Sequence, residues 1–286
     1  VSTMLDEAEV ARLAPGLSLA LPRLPQRGRV GAVRRTSAGS AMELHDFRAY
    51  QPGDDLRQLD WNAVARTGEL VLRVRQDEVS PRVEVVLDGS RSMALSPRKA
   101  AGAREVALLT VEVGGRQGLT PALLWGGTRS ERVQGPACRA ALRGAEFEAR
   151  DDLASALGRL PPLRPCGLRV VVSDFLFETD LEALCARLSR GASALFLVQV
   201  LDAEDLNPTG GEGARLVDAE SGVALEELLT DSVLAAYARR FEAHQRALRS
   251  AAVRARGTLL TVNAAEGLRA QLAGPLRALF VAGGGA

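Results

Sequence analysis

Asp88, Ser90 and Ser92 stand where an apolar run, Val83 to Leu87, gives way to a polar turn. A carboxylate and two hydroxyls at alternate positions can converge on one point, and such hard oxygen donors suit Mg²⁺ or Mn²⁺. The same three residues could instead form a turn and cap the helix that follows. A second apolar run, Leu168 to Val172, leads into Ser173 and Asp174. Asp174 joins Asp88 if the two runs are neighbouring strands of a parallel sheet, because open α/β sheets place ligands at the strands' carboxyl ends. Asp151 and Asp152 lie between them at the start of a helix, where carboxylates can also cap the first turn or complement its dipole. His45 and His244 are too few and too distant in sequence to suggest a histidine-based catalytic set. Cys138, Cys166 and Cys185 show no CxxC spacing and read as small buried hydrophobes rather than zinc ligands.

The elements that must carry these residues follow from hydrophobic patterning. Strands are expected at Val83 to Leu87, Thr120 to Trp125, Leu168 to Val172, Ala194 to Val200 and Thr258 to Val262. Helices are expected at Pro97 to Gly114, Asp151 to Leu160, Asp180 to Ser189, Ser232 to Ala255 and Ala265 to Leu279. Short apolar strands alternating with amphipathic helices predict an α/β fold, a doubly wound, Rossmann-like, mostly parallel sheet with helices on both faces. In the fourth helix Leu234, Tyr237, Phe241 and Leu248 mark the core stripe, and His244 on that stripe reads as packed. Residues 1–80 are expected to form an N-terminal segment packed on a body of residues 81–286, with Pro15 to Arg35 as a loop or linker and a strand at Leu70 to Arg75. An irregular insertion at about 206–224 should include a hairpin at Ala214 to Ala224.

Composition sets the outer bounds. With 286 residues, 47% of them apolar, the chain can bury a full core, and 36 basic against 35 acidic side chains leave a charge of +1. No global field recruits nucleic acid or an anionic membrane. Lys99 is the only lysine, a bias read as genome composition rather than mechanism. The acidic N-terminus lacks the pattern of a signal peptide, and the longest apolar stretches, such as Ala194 to Leu201, fall far short of the ~18 residues of a membrane span. A cytoplasmic location is expected.

Asp88, Ser90, Ser92 and Asp174 resemble the metal-ion-dependent adhesion site of the von Willebrand factor A domain. The resemblance implies that these four residues ligate Mg²⁺ or Mn²⁺. That family's threonine precedes a Leu-x-x-x-Leu helix; here Leu153 and Leu157 follow Asp151 and Asp152. Asp151 is therefore the expected fifth ligand, with Asp152 as the alternative one residue on, and Thr128 in its Gly126-Gly127 turn is a poor substitute. His45 to Arg73 narrows the match further. Arg48, Tyr50, Pro52, Gly53, Asp54, Asp55, Arg57, Asp60, Trp61, Ala65, Arg66, Gly68 and Leu70 resemble the signature of domain-of-unknown-function family fifty-eight, with Leu59 in place of isoleucine.

Membership of that family implies a partner of a MoxR-type AAA+ ATPase, acting as adaptor or co-chaperone toward a client protein. Many members carry N-terminal membrane helices, and none is expected here. Tyr50, Asp54, Arg57, Asp60 and Trp61 are candidate partner contacts, although arginine–carboxylate pairing of this density points first to an internal brace. The expected function is thus non-enzymatic protein binding through an adhesion-like metal site. The alternatives are a metal-dependent hydrolase and a scaffold whose metal site is vestigial.

Overall fold

The computed structural model describes residues 5–21, 46–49, 61–74, 82–127, 130–208, 215–219, 222, 224–226 and 230–283. In chain order the elements are α1 (Glu7–Leu13), β1 (Leu17–Leu19), β2 (Asp46–Ala49), α2 (Trp61–Thr67), β3 (Val71–Val74), β4 (Arg82–Asp88), α3 (Pro97–Arg116), β5 (Thr120–Gly126), β6 (Ser130–Gln134) and α4 (Ala137–Arg143). They continue with α5 (Leu153–Ala156), β7 (Leu168–Ser173), α6 (Leu181–Ser189), β8 (Leu195–Leu201), α7 (Ala203–Leu206), β9 (Arg215–Val217), β10 (Ala224–Glu226), α8 (Asp231–Arg254), β11 (Gly257–Asn263), α9 (Leu268–Ala273) and β12 (Phe280–Ala282). Contacts divide the chain into a unit of residues 1–24 and 80–286 and a smaller unit of residues 25–79. In the smaller unit β2 pairs antiparallel with β3, the strand expected at Leu70 to Arg75.

The larger unit is α/β, with a six-stranded sheet in the order β11-β8-β7-β4-β5-β6. All neighbours are parallel except β6, which runs antiparallel to β5. The alternating side chains of each strand feed two separate cores. Val83, Val85 and Leu87 pack with α1, α3, α4 and α9, through Val10, Leu109, Leu142 and Leu268. Val86, Leu124, Val171 and Leu197 pack with α5, α6 and α8, through Leu153, Leu188 and Leu248. Helices thus cover both faces, and the five parallel strands are the five read from apolar runs.

Three expectations change, and one strand is added. The stretch Pro15 to Arg35 does not begin as a linker: β1 pairs antiparallel with β12, Leu17 opposite Ala282, and residues 1–24 group with the body. The last predicted helix is broken after α9, because Gly274 leaves helical geometry and Pro275, with no N–H to donate, restarts the chain as a 3₁₀ turn. The helix expected at Asp151 to Leu160 is regular only over Leu153–Ala156 before turning toward Pro161 and Pro162. Strand β6, Ser-Glu-Arg-Val-Gln, carries no apolar run, as befits a charged edge strand paired on one side only. The insertion hairpin forms as β9 and β10, paired with Leu216 opposite Leu225.

One face of the β4–β7 pair carries polar residues at both ends of an apolar centre. Glu84 lies opposite Arg169 and Val86 opposite Val171, with Asp88 and Ser173 next along the same face. Glu84 and Arg169 are fully buried. The Arg169 guanidinium donates to Glu84 Oε2 at 2.8 Å and to the carbonyls of Leu188, Arg190 and Arg164, tying both strands to the end of α6. Arg132 of β6 donates to the other Glu84 oxygen at 3.0 Å. Every oxygen of this buried carboxylate is therefore answered.

Candidate functional site

The opposite, carboxyl end of the same two strands gathers the chemistry. The order in which strands are added reverses at β4, since β5 and β6 lie on one side of it and β7, β8 and β11 on the other. Crevices at such switch points are the usual ligand positions of open α/β sheets. Asp88 ends β4 and is fully buried: Oδ1 accepts from the Ser90 N–H at 2.9 Å and Oδ2 from the Ser173 hydroxyl at 2.6 Å. Ser90 and Ser92 hydroxyls lie 3.0 Å apart. Burial, and then the Asp174 charge, push the Asp88 carboxyl up to about 7 despite its hydrogen bonds from Ser173 and Ser90.

Gly89 makes the turn fit. A Cβ there would meet Gly127 N and Cα at 2.6 Å and the Gly126 carbonyl at 2.7 Å, all backbone. Gly89→Ala should therefore lower stability by about 1–3 kcal/mol, read from urea unfolding. An unchanged midpoint would show that the two loops are not in contact.

The loop before α5 is tied to this turn, because Ala149 N–H donates to Gly89 O and Arg91 N–H to Ala149 O, each at 3.0 Å. Its acids face elsewhere. Asp152 is the N-cap of α5, accepting from Ser155 N–H at 2.7 Å, and Asp151, half exposed, pairs with Arg159 at 2.7 Å. Asp151, the expected fifth ligand, thus engages Arg159, and Asp152, the alternative, caps α5: a half-exposed carboxylate takes the nearby guanidinium, and a helix start takes the cap. Thr128 lies outside the described residues, as do Tyr50, Asp54, Arg57 and Asp60. Trp61 opens α2 and is 65% exposed.

Asp174 follows β7, and its surroundings hold the residue that sequence reading set aside. Lys99, in the first turn of α3 and 1% exposed, places its ammonium 2.9 Å from Asp174 Oδ2 and 2.9 Å from Asp205 Oδ2. Burial alone would lower its pKa, but the two carboxylates outweigh that and raise it, so it stays charged. Asp205 belongs to the capping box of α7, and its carbonyl accepts from the Tyr237 hydroxyl at 2.6 Å. The other Asp174 oxygen accepts from Leu176 N–H at 3.1 Å, and its carbonyl from Gln199 Nε2 at 2.9 Å. Phe175 next to it has φ +53, a left-handed conformation costly for a bulky residue. Ser173 Oγ accepts its N–H at 3.0 Å, and its carbonyl meets His244 Nε2 at 2.6 Å, so the strained residue is held from both sides. His244 is packed, as its place on the stripe suggested.

Four of the five expected ligands therefore meet at the switch point, yet each is already engaged by a partner from the protein itself. Asp88 is held by Ser90 and Ser173, Ser90 and Ser92 face one another, and Asp174 faces an ammonium. Among the described residues no group of three or more His, Cys, Asp or Glu is placed to hold a metal ion. This arrangement does not fit a divalent cation, because the charge such an ion would bring to Asp174 is supplied by Lys99. The signal in the sequence was the lysine itself, one among 36 basic residues, eleven positions after Asp88. The cysteines are free and buried, with the thiols of Cys166 and Cys185 pushed up to about 11 by burial.

An α/β unit with a mixed six-stranded sheet and a sealed acidic cluster at its switch point is the class that fold and site define. The chain belongs to the family described as protein of unknown function DUF58, whose profile matches residues 46–247. It is 31% identical over 227 residues to uncharacterized proteins of Mycobacterium bovis and Mycobacterium tuberculosis, covering 72% of this chain and 70% of theirs. The crystal structure of the conserved hypothetical protein BatB from Bacteroides thetaiotaomicron is similar at a TM-score of 0.40 and 14% identity, over 68% of this chain and 94% of that one. No helix among the described residues is long and apolar enough to cross a membrane.

Proposed function

We propose that this chain is a non-enzymatic protein-binding module of von Willebrand factor A type, an adaptor that docks a MoxR-type AAA+ ATPase at the carboxyl edge of its sheet. The observation that carries this reading is Leu95. It is 64% exposed in the turn between the Arg91–Ala94 3₁₀ helix and α3, directly after the site loop. An apolar side chain presented on a base of fully hydrogen-bonded, buried residues is preorganised for docking, which spares the ordering cost of association. The partner class comes from the family resemblance. Asp88, Ser90, Asp174 and Lys99 are each at most 1% exposed, so the partner meets the rim and not the carboxylates themselves. The burial of Asp88, Ser90 and Asp174 counts against the hydrolase alternative, which needs reacting groups that substrate can reach.

The test is binding of the purified chain to the MoxR-type ATPase encoded in the same genome, by calorimetry or gel filtration. Leu95→Asp should weaken binding at least tenfold, because a charge replaces an apolar anchor, while the melting temperature stays unchanged. Equal affinity in a folded Leu95→Asp chain would remove this edge from the interface. Absence of wild-type binding would remove the partner.

A further inference from the structure

We propose that Lys99 is the built-in cation of the switch-point cluster: its ammonium neutralises the carboxylates that a divalent ion would otherwise bridge, so the docking edge is held in shape without Mg²⁺ or Mn²⁺. A second part follows. Deleting the ammonium opens the cluster to those ions. The inference deepens the docking reading and rests on it for its purpose, but its test needs no partner.

Three observations support it. The ammonium is 99% withdrawn from solvent yet lies 2.9 Å from one oxygen each of Asp174, which follows β7, and Asp205, in α7. A buried ammonium is costly unless paired, and a pair of carboxylates is what compensates it. The cation also joins three pieces of the fold, α3, the end of β7 and α7, and Tyr237 of α8 is fastened to the same α7 backbone. Bridging carboxylates from separate loops is the structural work a bound divalent ion does in an oxygen-ligand site. Here one side chain performs it, at the cost of a single positive charge where an ion would bring two. With Lys99 present, an arriving divalent ion meets like charge and carboxylates already engaged. With alanine in its place, Asp174 and Asp205 lose their shared counter-charge next to Asp88, while the shortened side chain leaves room for an ion and its waters.

The experiment compares wild type, Lys99→Ala and Asp88→Asn after chelator treatment, using calorimetric titration with MgCl₂ and MnCl₂ and thermal unfolding with and without the ions. Wild type should show no saturable binding that depends on Asp88. Lys99→Ala should gain a saturable site at least tenfold tighter than any in wild type. Its melting temperature should rise on adding Mg²⁺, since a ligand of the native state raises stability by mass action, while that of wild type should not. If Lys99→Ala fails to fold in chelator, folding rescued by Mg²⁺ or Mn²⁺ gives the same answer. Saturable wild-type binding abolished by Asp88→Asn would overturn the proposal, as would a Lys99→Ala chain that gains no binding or stays unfolded with ions present. None of these outcomes depends on the ATPase, so a missing partner and a wrong assignment of Lys99 remain distinguishable. If both readings hold, ATPase binding by wild type is unchanged by chelator.

Discussion

Replacing Arg169 with leucine is expected to cost about 3–5 kcal/mol of stability, the range for breaking a buried ion pair from one side. Its guanidinium is fully buried and supplies hydrogen bonds to Glu84 and to three carbonyls from two separate segments. Leucine fills part of the volume but leaves Glu84 Oε2 without its partner in the sheet interior, with only Arg132 on Oε1. Two of the orphaned carbonyls, Leu188 and Arg190, lie at the end of α6, where a cation also complements the helix dipole. For a protein of this size the melting temperature should fall by roughly 10 °C. Glu84→Leu combined with Arg169→Leu should recover part of the loss, because no buried charge is left unanswered. A single variant as stable as wild type would mean that the guanidinium is not holding these segments together.

The second large effect is a pH dependence written into Asp88. In the folded chain its carboxyl is pushed to about 7, first by burial and then by Asp174, from an ordinary value of 3.8. Between about pH 4 and 7 the unfolded chain releases this proton and the folded chain keeps it. The unfolded state therefore binds fewer protons, and stability falls as pH rises through that window, by about 4 kcal/mol in all. Above about 7 both states are ionised, and the group adds no further slope. Asp88→Asn cannot ionise, yet it keeps an oxygen for the Ser90 N–H or the Ser173 hydroxyl. Wild type and variant should thus be close in stability at pH 4 and diverge in the variant's favour up to pH 7.5. Other titrating groups, such as the raised Glu105, are common to both proteins and cancel in the difference. Parallel curves from urea unfolding across that range would refute the assignment.

These effects sit at opposite ends of one face of the β4–β7 pair, and the division between legible and illegible follows its construction. The five parallel strands could be read because each is a short apolar run, covered on both faces, and that requirement is local to the run. Asp88, Ser90, Ser92 and Asp174 could be read because they directly follow such runs, where a parallel sheet must present its carboxyl ends. β6 could not, being a charged edge paired on one side, and β1 could not, because its partner β12 lies at the far end of the chain.

By itself, then, the sequence determined an α/β body and the family to which it belongs, and it placed four polar residues at one sheet edge, all from patterns confined to neighbouring residues. Only the tertiary structure decided what each carboxylate faces. Asp174 meets a lysine 75 positions away, Glu84 an arginine 85 positions away, and Asp151 turns outward to Arg159. The physical reason is that burial makes an unpaired charge expensive, so the identity of the partner is set by which long side chain can reach it across the folded core, a distance that spacing along the chain does not encode.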